Sequence, residues 1–216
     1  MNMMDQICMA AVFPVAASVV AGSPRGDGHS VIVLPGFFTG PNHTLLLRTV
    51  LAHANYRSVD WGEGFNMGPS EKLANDLNKL LHEVHEQYGK VSLVGWSLGG
   101  LLARAMANSH PDLVRNVITL GSPHRADPNK SKLAPVFDLL SPTKLGEIKD
   151  EQLALVRNDP SMPVVNIYTK MDELVDWKDC LSDPAPNVEN VEVESSHLTL
   201  THNVTALKII LDRLSR

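Results

Sequence analysis

The chain has little cysteine, no long apolar run and no surplus of positive charge, and each shortage excludes a class of function. Two cysteines, Cys8 and Cys180, can form at most one bridge, which is no framework for a disulfide-held fold. No run of 18 apolar residues goes uninterrupted, so no membrane-spanning helix is expected. Lys plus Arg number 19 and Asp plus Glu 24, a formal net charge of −5. Neutralising phosphates takes a basic surplus, so nucleic acid is not an expected partner. No G-x-G-x-x-G and no P-loop pattern occurs, so no cofactor is expected. His82 and His85 stand three apart rather than four, which breaks the H-E-x-x-H spacing. They read as a solvated helix face, and no metal site is expected.

What is present is 216 residues, 44% hydrophobic and 20% charged. That supports one domain with a sizeable core and is too apolar for a disordered chain. Ile7–Ala21 is small and apolar, like the middle of a signal peptide, but Asp5 precedes it and no Lys or Arg does. It reads as a buried N-terminal helix interrupted near Pro14, in a cytoplasmic protein, with export as the alternative.

Six short apolar, β-branched runs follow: Val31–Leu34, Tyr56–Trp61, Val91–Gly95, Val117–Gly121, Val164–Thr169 and Val188–Glu194. Several are continuous rather than alternating, as strands buried on both faces are. Helical patterns separate them. In Glu71–Tyr88, Leu73, Leu77, Leu80, Leu81, Val84 and Tyr88 form one stripe that Gly89 ends. Strand–helix repetition predicts an α/β fold: a mainly parallel sheet with helices on both faces and ligands beyond the strands' carboxyl ends. The stretch 125–163 holds five prolines and breaks the rhythm. It is expected to form one or two short helices, a small cap on a single domain spanning 1–216.

Gly95-Trp96-Ser97-Leu98-Gly99-Gly100 follows one strand run and precedes an apolar helix. This is G-x-S-x-G in a strand–turn–helix setting. Chance supplies about 0.07 such matches in a chain this long, so the setting, more than the pattern, gives the motif its weight. A serine on a sharp turn exposes its hydroxyl at the sheet edge, and the following helix aims amides at developing negative charge. A serine nucleophile needs a base, and the base needs an orienting carboxylate. Asp172 and His197 each follow a strand run and so fall on the rim where Ser97 sits. Glu173 and Asp176 are rivals for the acid, and His202 for the base. An oxyanion hole needs two N–H donors. The amide of Leu98 is one; the loop Pro35-Gly36-Phe37-Phe38 offers Phe37, with Phe38 second. Trp96, Ser122, His124, Trp177 and Phe38 are candidates to line a pocket, with core packing the equal alternative for Trp96.

The chain resembles the α/β-hydrolases of the esterase/lipase type, small bacterial members above all. The residues that carry this are Arg25-Gly26-Asp27-Gly28-His29, Leu34-Pro35-Gly36-Phe37, Trp61-Gly62, Val94–Gly100, Leu120-Gly121-Ser122-Pro123 and Ser196-His197-Leu198. The resemblance implies Ser97 as nucleophile, Asp172 as acid and His197 as base. Three departures bear on substrate: Pro35-Gly36 where lipases often carry His-Gly, Glu173 where a glycine is usual, and Thr199 and Thr201 after the histidine where glycine-containing sequence is common. The expected activity is cofactor-free cleavage of a small ester or lipid through an acyl-enzyme. Thioester cleavage or acyl transfer by the same serine is the alternative. Ligand binding without turnover is the alternative outside catalysis.

Overall fold

Six parallel strands form one sheet in the order β2-β1-β3-β4-β5-β6. In the computed structural model, which describes residues 3–127 and 134–216, these are β1 (Ser30–Leu34), β2 (Arg57–Asp60), β3 (Val91–Trp96), β4 (Val114–Leu120), β5 (Val164–Tyr168) and β6 (Val188–Glu192). Every adjacent pair is parallel. β1 and β3 are buried at every position, which explains why their sequences run apolar without alternating.

Seven α-helices accompany the strands among the described residues: α1 (Met3–Val20), α2 (Leu45–His53), α3 (Glu71–Tyr88), α4 (Leu98–Ser109), α5 (Ala134–Leu140), α6 (Asp150–Arg157) and α7 (Val204–Leu214). One face of the sheet buries Ala16 and Val19 of α1, Leu47, Val50 and Leu51 of α2, and Leu207, Ile210 and Leu211 of α7. The other buries Leu73, Leu77 and Leu81 of α3 and Ala103 and Ala107 of α4. The leucine stripe of α3 is therefore its core face. Ser70 caps that helix by accepting from the Leu73 N–H at 3.1 Å, and Gly89 closes it at φ +81°.

Two sequence expectations need correction. α1 runs through Pro14 without interruption. Proline removes one helical hydrogen bond, but Pro14 faces solvent, while Ala16 and Val19 are fully buried and anchor the turn that follows. β4 begins at Val114, three residues before the apolar run, because Arg115 and Asn116 are strand residues despite their polarity. Cys180 is a buried free thiol; the Cys8 side chain lies outside the described set, as do residues 128–133 of the expected cap.

Within 125–163 the two helices go different ways. α6 packs on α4, where Arg104, fully buried, donates to the Val156 carbonyl at 2.7 Å, the Asn158 carbonyl at 3.1 Å and Asp159 at 2.8 Å. α5 instead brings Phe137 within 5.0 Å of the Phe37 ring, at the end of β1. Among the described residues no helix is long and apolar enough to cross a membrane.

Candidate active site

The sheet reverses its direction of growth at β1, whose neighbours are β2 and β3. The crevice beyond the carboxyl ends of β1 and β3 is where open parallel sheets bind ligands. Ser97 follows β3 there. Its backbone is held at φ +54°, ψ −121°, a region non-glycine residues rarely occupy. The surroundings enforce that turn. A Cβ at Gly95 would lie 2.3 Å from the Gly99 carbonyl oxygen, and one at Gly99 would lie 2.2 Å from that of Leu34. The elbow is thus pressed against the end of β1 with no room for side chains at either position. Ser97 stays partly exposed.

His197, in the loop after β6, presents Nε2 to Ser97 Oγ at 3.0 Å. Its Nδ1 lies 2.6 Å from Asp172 Oδ2, in the loop after β5. The Asp172 and His197 side chains are 1% and 2% exposed, so this pair works in a medium where charge is poorly screened. The other Asp172 oxygen accepts from the N–H groups of Leu174 at 3.0 Å and Val175 at 2.9 Å. The carboxylate is therefore fixed before it meets the imidazole. Gly121 ends β4 at φ +55° directly beside the ring; a Cβ there would sit 3.2 Å from His197 Nδ1.

The rivals are engaged elsewhere. Asp176 caps the short 3₁₀ turn Trp177–Cys180 through the Lys178 N–H. Glu173 accepts from the backbone N–H of His197 at 3.2 Å and does not face its imidazole nitrogens. His202 pairs with Thr201 Oγ1 at 2.9 Å, and Asn203 caps α7.

Of the two candidate amides in the β1 loop, Phe38 donates to the Asn66 carbonyl at 2.7 Å and is occupied. The N–H groups of Phe37 and Leu98 make no such bond among the described residues. The first N–H groups of a helix have no intrahelical partner, so Leu98 offers a free donor one residue from Ser97.

The expected lining residues divide. Phe38 is 52% exposed and meets Phe65 edge-on at 6.1 Å; Phe37 is half-buried between Phe38 and Phe137. Trp177 stacks on Tyr168. Trp96, Ser122 and His124 are buried. Burial pushes the His124 imidazole down to about 4, with the charge of Arg104 adding to the shift.

Two further groupings of a Ser, a His and an Asp occur among the described residues. His29 Nε2 lies 2.7 Å from Ser92 Oγ and its Nδ1 2.5 Å from Asp27, near the amino end of β3. His124 Nε2 lies 3.1 Å from Ser182 Oγ, which also bonds Asp159. Both serines are sealed, at 0% and 4% exposure, and neither sits on a strained turn. The three residue types in contact do not by themselves make a site; access and waiting N–H donors set Ser97 apart.

Sequence reasoning missed the polar clip on the oxyanion loop. Asn66, fully buried, donates to the Pro35 carbonyl at 2.8 Å and accepts from the Gly68 N–H at 3.1 Å. Its backbone bonds Phe38 and Thr39 as well. The one available signal was a polar residue set between Phe65 and Met67.

Residues 17–147, more than half the chain, match the family described as the alpha/beta hydrolase fold. A pimeloyl (acyl-carrier protein) methyl ester esterase of Vibrio cholerae is 26% identical over 168 residues, 77% of this chain and 65% of its own length. Its counterpart from Shewanella woodyi is 29% identical over 98 residues, 45% of this chain and 37% of its own. The chain thus spans less than two thirds of both relatives. Among solved structures, one reported for the metagenome-derived lipolytic enzymes LipS and LipT superposes with a TM-score of 0.64 at 18% identity, covering 88% of this chain and 93% of the other. Mouse alpha/beta hydrolase domain-containing protein 10 gives 0.58 at 17%, covering 88% and 90%. At such identities the likeness is one of fold.

Proposed function

The chain belongs to the α/β-hydrolase fold family, and from that premise we propose that it is a serine hydrolase of carboxylic esters. The observation that carries the reading is the unbroken line Ser97–His197–Asp172, at 3.0 and 2.6 Å, together with the Phe37 and Leu98 N–H groups, which make no hydrogen bond among the described residues. An acyl carbonyl under attack uses all of these at once.

Ser97 Oγ attacks the acyl carbon while His197 Nε2 takes its proton. The N–H groups of Leu98 and Phe37 receive the oxyanion. Asp172 holds Nδ1–H in place and stabilises the imidazolium without taking its proton. Collapse expels the alcohol, protonated by His197, and leaves acyl-Ser97. Water, deprotonated by the same imidazole, releases the acid and restores the hydroxyl. The methyl ester esterases among the relatives support an ester of a small alcohol as the substrate class. Phe37 and Phe137, ring to ring at 5.0 Å, favour an apolar acyl group, with α5 as a small cap in a single domain.

The test is a panel of p-nitrophenyl and methyl esters of graded acyl length, with matched thioesters, on the native protein and Ser97→Ala. Turnover of esters that disappears in the variant supports the reading. Preference for thioesters would move it to a thioesterase. Ligand binding without turnover, unchanged in Ser97→Ala, would overturn it in favour of a binding protein.

A further inference from the structure

The loop that carries His197 is held by side chains from three other parts of the chain. Its peptide N–H donates to Glu173 at 3.2 Å, and its carbonyl accepts from the Trp96 indole N–H at 3.0 Å. The next carbonyl, of Leu198, accepts from His43 Nε2 at 3.2 Å. These partners lie 24, 101 and 155 residues away in sequence, in the loop after β5, at the end of β3 and in the 3₁₀ turn Pro41–Thr44, and converge on two consecutive residues. His43 also stacks on the indole, with ring centroids 4.3 Å apart and planes 12° from parallel. Burial holds the His43 imidazole below the usual histidine range. A neutral ring that donates through Nε2 leaves Nδ1 bare.

We propose that Trp96 and His43 are positioning residues for His197, fixing where its Nε2 stands relative to Ser97. The proposal rests on the reading of His197 as the base. Trp96 directly precedes Ser97, so the end of β3 sets both the nucleophile and the point to which the base loop is pinned. A shift in this strand end moves both together. Trp96 is 3% exposed, and a buried indole N–H must find an acceptor; the one it finds belongs to the base's own peptide. Leu198, by contrast, is 50% exposed, so packing of its side chain does little to fix the loop.

Trp96→Phe keeps an aromatic ring and removes the donor. His43→Phe keeps a stacking plane and removes the Nε2 bond, while His43→Gln restores a donor without the stack. Two readouts are needed. One is the rate of Ser97 labelling by a fluorophosphonate, with kcat and KM measured on any ester the panel finds. The other is the downfield proton NMR resonance of His197 Nδ1–H, which requires no turnover. Trp96→Phe is expected to slow labelling and kcat by about tenfold to a hundredfold, the scale of an ångström's misplacement, with KM little changed and the proton resonance broadened. His43→Phe should lose less, and His43→Gln should recover part of that loss. Should Trp96→Phe fail to fold, the two His43 variants decide alone. Wild-type labelling and an unchanged resonance in the folded variants overturn the proposal. If the native protein itself takes no label while the resonance is present and is lost in the variants, the hydrolase reading fails and the positioning role stands.

Discussion

Gly99→Ala adds one methyl group where the end of β1 already stands. The new carbon would lie 2.2 Å from the Leu34 carbonyl oxygen and 2.6 Å from both the Leu34 carbonyl carbon and the Pro35 oxygen. Non-bonded atoms rest roughly 3.5 Å apart, so the elbow and the β1 end must part by about an ångström. Neither side yields cheaply, because all the atoms involved are backbone and β1 is bonded to β3 along its length. Overpacking of this kind costs about 1–3 kcal/mol, and alanine's better helix propensity returns up to about 1 kcal/mol. The net destabilisation is modest, and catalysis should suffer more than stability. Leu34 and Pro35 lead into the loop bearing the Phe37 amide, and Gly99 is two residues from Ser97. Separating them pulls one oxyanion donor away from the nucleophile. Such a displacement is worth about a hundredfold in rate. The assay is the fluorophosphonate labelling rate with a parallel thermal melt. Gly146→Ala is the control, since a Cβ there meets nothing within 4 Å. Labelling of Gly99→Ala at the wild-type rate would refute the reasoning, whatever the melt shows.

Three further outcomes follow from the same geometry. Asp172→Asn keeps the shape but holds the imidazole in the wrong tautomer, so kcat/KM should drop about 10³–10⁴-fold with unchanged circular dichroism. Asn66→Ala strips a partner from the Pro35 carbonyl and the Gly68 N–H, so urea melts should show a loss of about 2–3 kcal/mol together with slower labelling. His124 should make the fold acid-sensitive. Its folded value is pushed down to about 4 by burial against about 6.5 when unfolded, so between these pH values the unfolded chain binds more protons. Its contribution is complete above about pH 6.5, falls as pH drops, and levels off near 4, with roughly 3 kcal/mol lost in all. The wild-type minus His124→Gln difference in unfolding free energy, measured across that window, should show this slope; a flat difference would contradict it.

The central strands were legible because they are short apolar, β-branched runs between turn residues. The helix Glu71–Tyr88 was legible from its stripe and its glycine stop. Where a boundary shifted, polarity misled: Arg115 and Asn116 hid the start of β4. Ser97, Asp172 and His197 could be assigned to one rim because each lies in the segment that follows a strand, and parallel strands deliver their carboxyl ends to one rim. Spacing could not separate Asp172 from Glu173 and Asp176, because all three follow the same strand. What separates them is which carboxylate turns toward the imidazole. The Asn66 clip, the Arg104 anchor and the Trp96–His197 bond left no periodic trace, since each joins a side chain to a backbone carbonyl far away in sequence. The Ser92–His29–Asp27 set, whose serine is fully buried, makes the converse point. Contact between the three residue types is a fact of three dimensions, and burial decides whether it can act.

The most direct measurement is fluorophosphonate labelling read by intact mass and peptide mapping, on the native protein and on Ser97→Ala. One adduct, on Ser97 alone and absent from the variant, is the expected result. It would single out the partly exposed serine of the elbow from the sealed Ser92 and Ser182. No adduct on the folded protein, or an adduct that survives in Ser97→Ala, would contradict the assignment of Ser97 as an activated nucleophile.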